Sequence, residues 1–225
     1  MYHRYKAALL DFDLTLVDMS DIVDWKSAGI EVGSILLRNG FDISGLKYLP
    51  VSLLRESARF DSGPERTRKE RWSEASRKLC VYECRGAMRA SMKDGCLDLL
   101  KYLKNRNIMT AITSSNCCEA INSCLRRLNL DSFVDISVSR DDVLWEMKPN
   151  PRAVRIALET LSARPEETFG LGDSVVDISA FLACGVTPFG ITGGMAASDE
   201  LKEAGAEKVF DSLFEVINEL DHPTR

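Results

Sequence analysis

The sequence has no apolar run approaching the roughly 18 residues that a membrane-spanning helix requires. Its first stretch, "MYHRYKAALLDF", is basic at the start but offers only Ala7 to Leu10 as an apolar run before Asp11. That is too short for the hydrophobic stretch of a signal peptide, so a cytoplasmic location is expected. Histidine is nearly missing: His3 and His222 are the only two, both at the ends. The seven cysteines, at 80, 84, 96, 117, 118, 124 and 184, lack the two well-separated close pairs of a zinc site. Cys80 and Cys84 have helical spacing, and Cys117 and Cys118 are adjacent. Free, mostly buried thiols in a reducing compartment are expected. Repeats, low-complexity tracts and flexible linkers are also missing.

There is no basic excess to suit a nucleic acid. The net charge of −5 is unevenly spread, with 14 Lys+Arg against 11 Asp+Glu in residues 20–94 and 15 against 23 in the rest. An acidic body beside a mildly basic insert suits a cation in the body and a small anionic substrate between the two. At 225 residues, 45% hydrophobic and 28% charged, the chain has room for one good-sized domain carrying a smaller inserted one.

The pattern along the chain predicts that organisation. Residues 6–10 read as a short buried strand ending at Asp11. "DIVDWKSAGIEVGSILLRNG" reads as a helix stopped by Gly40, with Asp18 and Ser20 as candidate caps. "SLLRESARF" follows, then a break at "DSGPE", then a long charged amphipathic stretch over 65–92 that holds one helix or two. From residue 93, helices and strands alternate to the end. This predicts an α/β fold: a Rossmann-like, doubly wound parallel sheet core (1–17 and 93–225) with an inserted all-helical cap (18–92).

Such sheets bind ligands at the carboxyl ends of their strands, and the polar clusters fall there. Asp11 and Asp13 follow the first strand, with Thr15 in the turn; Thr113, Ser114 and Ser115 end another; Lys148 precedes Pro149; and "GLGDSVVD" carries Asp173 and Asp177. Chemically they form a set. A carboxylate nucleophile at Asp11 splits phosphoester hydrolysis into two steps. A hard cation such as Mg²⁺, on oxygens of Asp11, Asp173 and the Asp13 carbonyl, screens its approach to a dianion. The Asp13 side chain is then free to move protons. Thr113 and Lys148 hold the phosphoryl oxygens, with Ser114 beside them. Asp177 has two readings, as a cap of the next helix and as a partner of Lys148.

This series resembles the haloacid dehalogenase superfamily. Its first motif, DxDx[TV], is Asp11-Phe12-Asp13-Leu14-Thr15; the second is Thr113; the third is Lys148-Pro149; the fourth is Gly172-Asp173 with Asp177 four residues on. The resemblance implies a Rossmann-like core, Mg²⁺, an aspartyl-phosphate on Asp11, Asp13 as acid/base and a helical cap over the site. The likeness is greatest to phosphoglycolate phosphatase-type members, including the tail "GITGGMAASDELKEAGAEKVFDSLFEVI". Leu14 stands where many capped members have Gly, and Ser114 where many have Asn.

The expected function is a Mg²⁺-dependent phosphatase, monomeric or homodimeric, acting on a small phosphorylated metabolite such as phosphoglycolate, a sugar phosphate or a nucleotide. A phosphomutase of the β-phosphoglucomutase type shares the core and nucleophile. Dehalogenases and phosphonate-cleaving relatives lack the second acid of motif one, so Asp13 argues against both. A non-catalytic binding protein would not need the full set. Arg38 and Arg55 have two readings, as surface residues and as groups reaching down to a substrate anion; the run Arg66–Arg71 reads as a solvated helix face, the three tryptophans as packing groups, and "GITGG" as a mobile surface turn.

Overall fold

A computed structural model describes residues 4–47, 49–58 and 64–222. The expected break at 61–63 and His3 lie outside these.

The chain opens with strand β1 (Ala7–Leu10), followed by the two-residue strand β2 (Val17–Asp18). Three helices come next: α1 (Trp25–Arg38), α2 (Pro50–Ser57) and the 23-residue α3 (Glu65–Ala87). Strand β3 (Ser91–Met92) pairs antiparallel with β2, so a short ribbon closes the base of the helical insert. Then alternate α4 (Cys96–Asn105), β4 (Met109–Thr113), α5 (Cys118–Arg127), β5 (Ile136–Val138), α6 (Arg140–Val143) and α7 (Arg152–Leu161). The chain finishes with β6 (Thr168–Gly172), α8 (Val175–Leu182), β7 (Thr187–Ile191), α9 (Ser198–Glu203), β8 (Lys208–Phe210) and α10 (Leu213–Asp221).

Six strands form one parallel sheet in the order β5-β4-β1-β6-β7-β8. β1 lies inside it, between β4 and β6, and its residues are fully buried on both faces. Ala8 and Leu10 face a core built with α4, α5 and α10, while Ala7 and Leu9 face one built with α7 and α8. A strand covered on both sides reads as a continuous apolar run, which is why "AALL" shows no alternation. The register sets Leu10 beside Ile112 and Leu171, so β1, β4 and β6 end at one level. Asp11, Thr113 and Asp173 therefore meet at one edge of the sheet.

Several local expectations change. The 65–87 stretch is one helix. Asp24, not Asp18 or Ser20, caps α1, accepting from the Ser27 N–H at 2.9 Å. Asp18 instead accepts from the Ser20 N–H and hydroxyl in a tight turn. The thiols are not all free: Cys80 on α3 and Cys117 at the N-cap of α5 form a disulfide, while Cys84, Cys96, Cys118, Cys124 and Cys184 are free.

The helical insert is continuous with the core on one side. Apolar residues of α1, α2 and α3 join the cluster that holds Ala7 and Leu9. Trp72 is buried, donates its indole N–H to the Leu54 carbonyl at 2.8 Å, and packs edge-on against Trp145. The basic run is not uniformly solvated: Arg68 stacks over Trp145 and Arg71 over Phe41, while Arg66 is 92% exposed. Among the described residues no helix is long and apolar enough to cross a membrane.

Candidate active site

The turn after β1 presents the first acids. The Leu14 N–H donates to the Val17 carbonyl, and the N–H groups of Leu16 and Val17 both reach the Phe12 carbonyl. Leu14 takes a left-handed φ of +65°, a conformation that costs a non-glycine residue about 1–2 kcal/mol. That explains why glycine suits this position elsewhere. Asp11 is buried and accepts from the Thr15 hydroxyl at 3.1 Å. Asp13 is half-buried, and one of its oxygens accepts from the Met19 N–H at 3.1 Å.

Lys148 enters the same space across a cis peptide bond to Pro149. Its buried ammonium donates to Asp11 Oδ1 at 2.6 Å, to the Thr113 carbonyl at 2.9 Å and to Asp177 Oδ1. Burial alone would lower its pKa, but Asp11 and Asp177 outweigh burial and hold it above the ordinary lysine value. Both readings of Asp177 hold together, since its second oxygen accepts from the Ser174 N–H and hydroxyl at the start of α8. Gly172 is required for this packing, because a Cβ there would overlap the Asp177 side chain.

Asp173 is held from a direction the sequence did not suggest. The "GITGG" turn is no loose surface loop: Met195 donates its N–H to Asp173 Oδ2 at 2.6 Å, and Ala196 its N–H to the Asp173 carbonyl at 3.1 Å. A Cβ on Gly194 would overlap Asp173 Oδ2. The glycine pair in the sequence was the available signal, since only a residue without a side chain lets backbone approach a carboxylate this closely.

Burial raises all three front carboxyls. It pushes Asp11 up against the opposing pull of Lys148, with the charges of Asp177 and Asp173 adding to the rise. Asp13 is pushed up to about 7 by burial, partly offset by the Met19 N–H. Asp173 is pushed up to about 6 by burial and by Asp177. Oxygens of Asp11, Asp173 and Asp177 lie within 4.8 Å of one another. A set of buried carboxylates with charges this close fits a hard, oxygen-seeking cation. Among the described residues Asp13 adds no carboxylate to that group.

The second-motif residues divide. Thr113 Oγ1 is buried and has no hydrogen-bond partner among the described residues, so it is a donor left available at the strand end. Ser114, expected to bind a phosphoryl group, spends its groups locally. Its hydroxyl donates to Asn116 Oδ1 at 2.9 Å, and its N–H donates to the Val138 carbonyl at 2.9 Å. These bonds order the loop that follows Thr113.

Arg140 was missed, and Arg55 leaves the surface. Arg55 of α2 is half-buried, not a free surface residue; it pairs with Glu56 and donates to the Lys148 carbonyl at 3.1 Å. Arg140 is wholly buried in a bidentate pair with Glu83 of α3, at 2.7 and 2.8 Å. It also donates to the Ser115 carbonyl and the Ser76 hydroxyl. Arg38 does stay at the surface, paired with Glu74.

The family model for haloacid dehalogenase-like hydrolases matches residues 64–191, more than half of the chain. The chain belongs to the haloacid dehalogenase-like hydrolase family. Among curated relatives of this hydrolase, the pyrophosphatase PpaX of Oceanobacillus iheyensis is 27% identical over 120 residues, 53% of this chain and 56% of that protein. A relative from Caldanaerobacter subterraneus is 24% identical over 222 residues, 95% of this chain and 94% of its own. In several of the curated matches the chain spans about half the relative's length. The crystal structure of a hydrolase from Pseudomonas syringae superposes with a TM-score of 0.72 at 23% identity, covering 97% of this chain and 99% of that one. That likeness is one of fold.

Proposed function

We propose that this haloacid dehalogenase-like hydrolase is a phosphatase that hydrolyses a small phosphorylated metabolite through an aspartyl-phosphate on Asp11. The observation that carries the reading is the unpartnered Thr113 hydroxyl beside the buried Asp11–Lys148 pair. A donor and an ammonium flank a carboxylate at one strand edge, which is what a transferring phosphoryl group needs. Asp11 attacks phosphorus, and Asp13, half-protonated near neutrality, gives its proton to the leaving oxygen. Asp13 then takes a proton from the water that cleaves the aspartyl-phosphate. Lys148, held by Asp177 and the Thr113 carbonyl, neutralises the equatorial oxygens together with the Thr113 hydroxyl. Mg²⁺ would be held by Asp11, Asp173 and the Asp13 carbonyl, where it screens the repulsion between Asp11 and the phosphoryl oxygens. Helices α1–α3, within the insert at 18–92 that packs on the core along one side, serve as the lid.

The pyrophosphatase relatives add inorganic pyrophosphate to the substrates expected from the sequence. Inorganic pyrophosphate, phosphoglycolate, sugar phosphates and nucleoside monophosphates should be assayed with Mg²⁺ for release of inorganic phosphate. Saturable release from at least one is expected; interconversion of sugar phosphates without net phosphate release would favour a mutase. Activity should fall to background after metal stripping and return with Mg²⁺, and turnover that persists in excess chelator after stripping would remove the metal from the scheme.

The loop contact gives a separate test. Gly194→Ala forces Asp173 or the loop to move, and a displacement near 1 Å at a reacting centre costs on the order of 10²-fold. We expect a loss of that order in kcat/KM with a higher Mg²⁺ requirement and an unchanged thermal midpoint. Wild-type Mg²⁺ dependence in this variant would show that the loop does not position Asp173.

A further inference from the structure

Away from the strand ends, three sulfurs gather where α3 meets the loop that follows β4. Cys80 and Cys117 are bonded, with Cα atoms 5.6 Å apart, and Cys84 Sγ lies 3.9 Å from Cys80 Sγ. The contact is built to join the helical insert to the core. The Cys117 N–H donates to Glu83 at 3.0 Å, and Arg140 ties Glu83 to the Ser115 carbonyl. Cys117 stands four residues after Thr113, so whatever holds it also holds the loop carrying that hydroxyl.

We propose that Cys80–Cys117 is a redox site, opened and closed by a small anionic thiol such as glutathione, that fastens helix α3 to the loop after Thr113. Access is one-sided. Cys117 is fully buried, whereas Cys80 and Cys84 line a surface groove of about 530 Å³ with Arg77, Arg85, Met88 and Glu119. Two guanidinium groups against one carboxylate favour a thiol carrying carboxylates. Its thiolate attacks Cys80 Sγ, the Sγ–Sγ bond breaks, and the electron pair leaves on Cys117 Sγ, which ends with the proton the carrier thiol gave up. A second thiolate attacks the carrier's sulfur in the mixed disulfide, releasing the oxidised carrier disulfide and the Cys80 thiol. Two electrons pass from two carrier thiols to the protein, and oxidation by the carrier disulfide runs the same steps backwards. Burial and Glu119 push the Cys84 thiol up to about 11, so it stays protonated and does not compete as an internal attacker.

A thiolate metal site fits less well. A tetrahedral zinc holds its sulfurs roughly 3.8 Å apart, whereas two of these three are covalently joined, and Glu83 is spent on Arg140.

The proposal does not depend on the reaction at Asp11, and its test uses none of it. Full-length protein is equilibrated, metal-free, in oxidised or reduced glutathione, denatured, alkylated and mapped by mass spectrometry. We expect five alkylated cysteines and a linked Cys80–Cys117 peptide pair at the oxidised end, and seven alkylated cysteines at the reduced end. Reduction should lower the thermal midpoint by about 5 °C or more, since the bridge closes a loop across 37 positions. Cys117→Ser, and independently Cys80→Ser, should melt at one temperature in both buffers. Seven alkylated cysteines in oxidised glutathione, a Cys80–Cys84 link, or stoichiometric Zn²⁺ uptake that protects three thiols would each overturn the proposal.

Discussion

Asp11→Asn should abolish phosphate release while leaving the protein folded. The substitution keeps the shape of the side chain and removes the oxygen nucleophile, so the covalent step has no group to perform it. Loss of a nucleophile that works as part of a unit costs on the order of 10⁴-fold or more in kcat. The fold should tolerate the change because the surroundings remain satisfied. Lys148 keeps Asp177 and the Thr113 carbonyl, and an asparagine carbonyl can still accept from that ammonium. The Thr15 hydroxyl, now a donor to Asp11, can turn to accept from the new amide. The measurement is phosphate release on the best substrate, alongside a thermal melt. Undiminished release would remove Asp11 as nucleophile. Asp18→Asn is the matched control: among the described residues this side chain hydrogen-bonds only within the Ser20 turn, so activity within about twofold of wild type is expected.

Much of this was legible in the chain before any coordinates. Asp11, Thr113 and Asp173 each follow an apolar run, and parallel pairing of those runs aligns their ends because the register is fixed by burial on both faces. Lys148 was placed by its order among the motifs together with the proline that follows it. What escaped was everything that depends on approach between segments far apart in sequence. Glu83 lies in a strongly charged helix whose sequence does not single it out, yet it is fully buried. Arg140 is a lone arginine in "SRDD", and nothing within ten residues marks it as its partner. Cys80 and Cys117 are 37 positions apart on unrelated elements. Spacing rules detect pairs on one helix, which is why Cys80 and Cys84 drew attention and the true pair did not. The Gly193–Gly194 turn failed differently: its glycines were visible, but the purpose of Gly194 lies in the distant Asp173.

The Glu83–Arg140 pair should be the most consequential contact for stability between insert and core, and its two halves should not be equal. Both side chains are fully buried and joined bidentately, so removing one leaves an uncompensated charge, which typically costs about 3–5 kcal/mol. That corresponds to roughly 6–20 °C in melting temperature for a chain of this size. In Arg140→Met the remaining carboxylate keeps the Cys117 N–H at 3.0 Å and the Asn116 amide at 3.4 Å, and it can escape its charge by taking up a proton. In Glu83→Met the guanidinium keeps the Ser115 carbonyl and the Ser76 hydroxyl, but it has no counter-charge and cannot deprotonate. Glu83→Met should therefore be the more damaging, near the upper end of that range. The double variant should recover part of the loss, because two buried apolar groups are tolerated better than one orphaned ion. Denaturant melts of the two singles and the double, under reducing conditions so that the disulfide does not mask the effect, decide the matter. Additive losses in the double variant, or a milder Glu83→Met, would show that the pair is not the clamp its geometry describes.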